Sequence, residues 1–212
     1  MSKEFDASHG SLNPASQISS QQLAAEDNGG LNEIVEQIAA SLYSLASMLV
    51  GEGEDSERLV EKAIAEAEIS VCQNPEVARQ SSSRALSAAA IELLARRDPG
   101  CLEAPAGLTA DSICIDDDDL AAAGISRDEL KSMISGSERD RVRSWLAGLP
   151  ATLRTVFVLR AVAGFSAAET SGLLKDHGGA QASEWTLEAA REVFRQGLCS
   201  LASQLLHASA ER

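Results

Sequence analysis

Apolar residues recur along most of this chain at the spacing of an amphipathic helix. Ile34, Ile38, Leu42, Leu45 and Leu49 form one stripe and predict a helix from Leu31 to about Val50, ended by Gly51-Glu52-Gly53. Leu59, Val60, Ala63, Ile64 and Ala67 form a second, which opens at Glu54 or Asp55 and runs to roughly Cys72. Asn74-Pro75-Glu76 predicts a third start. Asn is a capping residue, Pro suits the first turn, and an acid there faces the positive end of the helix dipole. This helix runs to about Arg97 with Leu86, Ala89, Ala90, Leu93 and Leu94 inward, and Asp98-Pro99-Gly100 breaks it.

The character of the chain then changes. Asp98 to Leu120 holds seven acids, no Lys or Arg, and the breakers Pro99, Gly100, Pro105 and Gly107, which together read as a linker. Within it, Asp116 to Asp119 lacks the alternating, glycine-punctuated spacing of a calcium loop and reads as a solvated run; mimicry of nucleic acid is the sharper alternative. Ser126 to Glu129 is a capping box for a short helix to about Ser135, and Ser137 caps a helix that carries Arg139, Arg141 and Arg143 to Leu149. Residues 1–30 are polar and aperiodic and read as a disordered tail.

Leu149 to Leu206 predicts three further helices. The first opens at Pro150, is apolar at Val156, Leu159, Val162 and Ala163, and stops at Gly164. Ser166 caps the second, with Glu169 in the capping-box position, and Leu173 and Leu174 close it. Gly178 and Gly179 release the chain, and Thr186 caps the third, whose stripe is Leu187, Ala190, Phe194, Leu198, Leu201 and Leu205. The last two form a helix-turn-helix. The fold class expected is all-α: two small helical domains joined by an acidic linker. Their boundaries are 31–97 and 137–212, with the linker over 98–136.

Composition agrees with helices. Hydrophobic residues make up 44% and aromatics 3% of the 212 residues, and alanine supplies much of the apolar share. No apolar run reaches the length of a membrane span and no signal pattern opens the chain, so a soluble, cytoplasmic protein is expected. Cys72, Cys101, Cys114 and Cys199 are scattered, without Cys-x-x-Cys, and read as reduced thiols. Neither a metal site nor a cofactor is expected. There is no Gly-rich phosphate loop, nucleophile motif or His-with-acid cluster, so no catalytic residue and no enzyme is expected. The net charge of −14 opposes broad nucleic-acid affinity, which rests on neutralising phosphate.

Leu149-Pro150, Arg154, Val156-Phe157, Leu159-Arg160, Gly164, Ser166 and Glu169 resemble the promoter-reading region 4 of extracytoplasmic-function sigma factors, the small subunits that carry bacterial RNA polymerase to promoters. Leu42-Tyr43, Leu45-Ala46, Leu49-Val50-Gly51 and Asp55, Glu57, Leu59 and Val60 resemble region 2 of the same family. The resemblance implies that Asp55, Glu57, Leu59, Val60 and Glu61 lie on a helix that docks on the polymerase clamp. It also implies DNA contacts from Thr186, Arg191 and Arg195 on the recognition helix. Arg154, Arg160, Arg84, Arg96 and Arg97 are candidates for backbone phosphate. Core RNA polymerase and promoter DNA are the partners so implied, with an anti-sigma factor as a further class.

Several positions depart from the family. The turn from Lys175 to Glu184 is longer than its usual connection. From Ala63 to Arg97 there is no Phe, Trp or Tyr, where the family stacks aromatics on unpaired promoter bases. Glu184 to Arg195 holds three Glu against two Arg, and apolar Val193 and Leu198 replace basic residues in a way that suits a partner helix. Two functions therefore stand side by side: a divergent sigma factor that directs initiation, and a degenerate sigma-like interaction module that regulates transcription without opening promoters.

Overall fold

The first helix, α1, spans 35–50, and its Ile38, Leu42, Leu45 and Leu49 are buried. The computed structural model describes residues 35–67, 74–105, 132 and 139–210. The expected tail, the end of the second helix, the acidic run and the Ser126 and Ser137 caps lie outside that set. Gly51 and Gly53 turn the chain after α1 with φ of 94° and 127°, a region side chains other than glycine avoid. The Ser56 hydroxyl donates to the Gly51 carbonyl and closes this loop.

Helix α2 covers Glu54–Glu66, with Glu54, Asp55 and Glu57 in its first turn, where the dipole favours acids. Helix α3 covers Pro75–Arg97, and the Asn74 side chain accepts from the Glu76 N–H at 2.9 Å. The chain then turns through Asp98 to Leu102. The start of the expected linker is thus built into the fold, because Leu102 is only 1% exposed.

The C-terminal half opens with α4, Arg139–Gly148. Pro150 precedes α5, Ala151–Phe157, which continues into a widened π-turn over Val158–Val162 and stops at Gly164, φ 79°. Helix α6 is Ala167–His177, three residues longer than the stop expected at Leu174. A short 3-10 turn over Ala180–Ala182 leads to α7, Leu187–Ala210. All regular structure among the described residues is helical. None of these helices is long and apolar enough to cross a membrane.

In the packing, α2 lies on α3, α5 and α6 lie on α7, and α3 lies on α6. Gly197 lets α7 approach closely, since a Cβ there would sit 2.7 Å from the Phe157 ring. Phe157 in turn meets Trp145 edge-on at 5.0 Å and Phe194 at 5.8 Å. The buried residues of both halves form one hydrophobic cluster, from Ile38 to Leu201. Polar links cross between the halves as well. Trp185 donates to the Leu102 carbonyl at 2.8 Å, Thr152 donates to the Cys101 carbonyl at 2.7 Å, and His177 lies 2.9 Å from Glu92.

Candidate functional site

Two local signals set the frame of the C-terminal site. The Ser166 backbone N–H donates to the Glu169 carboxylate at 2.9 Å, while the Glu169 N–H donates to the Ser166 hydroxyl at 3.2 Å. This reciprocal box satisfies N–H groups that the first turn of α6 leaves unpaired. The bond from the Ser166 backbone, then that from its hydroxyl, holds the Glu169 carboxyl below the usual glutamate range, with Arg84 adding a smaller pull. At the head of α7 the Thr186 hydroxyl accepts from the Ala189 N–H at 3.0 Å. The turn between them is held by Trp185, whose side chain is fully buried.

The residues expected to meet DNA separate into distinct environments. Thr186 is exposed at the start of α7, beside the exposed Glu188. Arg191 is half-buried one turn on. Arg195 bonds Glu192 at 2.8 Å on the same helix, and Gln196 reaches the other oxygen of that carboxylate at 3.3 Å. Arg160 is not on the surface with them. It is 8% exposed, with its guanidinium carbon 4.8 Å from the centre of the Phe194 ring, a cation–π contact within the core. The π-turn carries Arg160 four residues after the buried Val156, so its side chain follows the apolar face inward. Arg154 lines a cleft against α1 and α4 and has a fully buried Nε.

Arg84, Arg96 and Arg97 stand apart on exposed parts of α3. Arg84 approaches Glu169 to 3.8 Å, so it faces the head of α6. Arg96 donates through Nε to the Glu92 carbonyl at 3.3 Å. Arg97 pairs with Asp55 on α2.

That last pair joins the two predicted sites, since Asp55 belongs to the expected polymerase-docking set. Of that set, Leu59 and Val60 lie in the core at 6% and 8% exposure. Alternation around α2 leaves Glu57 and Glu61 outward, with Glu54, Arg58 and Lys62 beside them. The presented face is therefore charged and mostly acidic. Val193 and Leu198, expected to suit a partner helix, are 2% and 4% exposed. They pack into the chain's own core and are not available to a partner, which corrects that expectation.

Two features had no counterpart in the sequence reading. One is the cleft beside Arg154, lined also by Met48, Glu52, Arg143 and Leu146. The other is the ion pair of Arg143 with Glu52, which links α4 to the loop after α1. The only sequence signal for either is the acid-free run of arginines from Arg141 to Arg160. No family model, curated protein or solved structure matches the chain.

Proposed function

We propose that this chain is a divergent sigma factor that binds core RNA polymerase and promoter DNA in the bacterial cytoplasm to direct transcription initiation. One observation carries the reading. The breaks and caps of the region 4-like stretch fall on helix boundaries: Pro150 before α5, Gly164 after its π-turn, the Ser166–Glu169 box at α6 and Thr186 at α7. On this reading the outward acids of α2, Glu57 and Glu61, meet polymerase. The head of α7 meets the major groove with Thr186 and Arg191, as helix-turn-helix proteins present the start of their second helix. The shared core between the halves fixes these exposed surfaces relative to one another.

The second reading keeps the partner and drops the chemistry. It is a sigma-like module that occupies polymerase without opening promoters. It is favoured by the absence of any aromatic from Ala63 to Arg97, which removes base stacking, and by the burial of Arg160, which removes a phosphate contact. Reconstitution decides between them. The purified chain is mixed with bacterial core polymerase, the complex is isolated, and transcripts are sequenced from a promoter library. Co-purification with chain-dependent transcripts supports the sigma factor. Co-purification without transcripts supports the module. No association with polymerase overturns both.

A further inference from the structure

A cleft of about 290 Å³ lies where the two halves of the molecule meet. The end of α1 and the Gly51–Glu52 loop form one wall, and α4 and the first turn of α5 form the other. Met48 and Leu146 give it an apolar floor, at 5% and 2% exposure. Two guanidinium groups line it, Arg143 and Arg154, and the Nε of each is buried without a hydrogen-bond partner. Arg143 spends one terminal nitrogen on Glu52, whose side chain is 68% exposed. Arg154 makes no ion pair with any described carboxylate.

Both Nε atoms are closed to solvent, so an anion in the cleft would meet the terminal nitrogens of the two side chains, where a charge-assisted hydrogen bond is stronger than a neutral one. A planar carboxylate matches the fork of a guanidinium through two parallel bonds. An apolar floor with a few converging polar groups is the usual make-up of a small-molecule site, and this volume is near the lower end of the common range. We infer that the cleft is a binding site for a small organic anion, a carboxylate on an apolar body. Its charge sits between Arg143 and Arg154, and its body lies on Met48 and Leu146. The site joins α1 to α4 and α5, so occupation stabilises the closed arrangement of the halves by mass action. The inference does not rest on the transcription reading, and it is tested without polymerase or DNA.

The test titrates the full-length chain with benzoate, with its neutral isostere benzamide, and with inorganic phosphate, by calorimetry and by thermal melting. Benzoate is expected to bind saturably and raise Tm, with benzamide and phosphate weaker by about tenfold or more, as befits loss of a charged hydrogen bond or of the apolar body. Arg154→Met is expected to remove that preference. Arg154→Lys, the milder change should the Met variant fail to fold, is expected to weaken benzoate by losing the planar fork. Glu52→Gln, on an exposed side chain, frees Arg143 and is expected to tighten benzoate several-fold. The inference is overturned if benzoate shows no saturable binding, or if it binds no better than benzamide or phosphate. Affinity unchanged in the Arg154 and Glu52 variants overturns it too.

Discussion

The indole N–H of Trp185 donates to the Leu102 carbonyl at 2.8 Å, and the two side chains are 0% and 1% exposed. One residue closes the α6–α7 turn and the other follows α3, so the bond ties the two halves together inside the core. Trp185→Phe removes the donor and leaves a buried carbonyl unpaired, at a cost of about 1–3 kcal/mol. Urea unfolding followed by circular dichroism and by tryptophan fluorescence, which in the variant comes from Trp145 alone, is expected to show one transition, shifted down in the variant. Two separated transitions in the parent protein would show that the halves unfold independently, against a shared core.

The capping box predicts a pH dependence with a definite sign. Hydrogen bonds from Ser166 lower the folded-state pKa of Glu169, so the native state favours its carboxylate. The stabilisation is complete above the ordinary glutamate range and is lost as pH falls through the lower folded value. Ser166→Ala is expected to cost about 1 kcal/mol near neutrality, the usual worth of an N-cap. The urea midpoints of the parent and of Glu169→Gln are expected to differ near neutral pH and to converge on acidification. A gap that widens with acid would contradict the assigned hydrogen bonds. Glu169 is well exposed, so solvent screening keeps the effect small.

What the sequence carried was local. Asn74-Pro75 and Ser166 to Glu169 mark helix starts because the cap and the N–H groups it satisfies lie within one turn. Long-range facts had no such signal. Nothing near Trp185 announces a partner at Leu102, more than eighty residues away. Arg160 follows Val156 by four residues and so shares its helix face, but nothing local names Phe194 as the ring it covers. Leu59 and Val60 were legible as core, since they belong to the apolar stripe of α2, and that same periodicity conflicts with placing them on a docking face. Val193 and Leu198 teach the same lesson, lying beside Ala190, Phe194 and Leu201 on the buried side of α7.

Arg160 and Arg191 are expected to differ in kind when replaced. Arg160 is buried over Phe194, so Arg160→Ala is expected to destabilise the fold by about 1–3 kcal/mol. Arg191 lies toward the head of α7 and is half-buried. On the promoter-reading proposal, Arg191→Ala weakens duplex binding and lowers the slope of log affinity against log salt by about one. Fluorescence anisotropy on labelled duplexes across a salt series checks this. An unchanged slope would remove Arg191 from the DNA contact.

The outward face of α2 gives the sharpest test of polymerase docking, provided the right residues are changed. Leu59→Asp or Val60→Asp puts a carboxylate into the core and is expected to cost about 3 kcal/mol or more, so loss of binding in either variant would report unfolding. Glu57 and Glu61 are exposed on α2, and no described ion pair engages them. Glu61→Lys is therefore expected to leave circular dichroism and melting close to those of the parent, and Glu57→Lys to keep the fold at a cost of about 1 kcal/mol or less, since it puts a cation in the first turn of α2. Each is expected to abolish co-purification with core polymerase if the acids meet a basic surface, because charge reversal turns attraction into repulsion. Retained binding in both variants, with the fold intact, would move the docking surface away from α2 and leave the region 2-like stretch as scaffold alone.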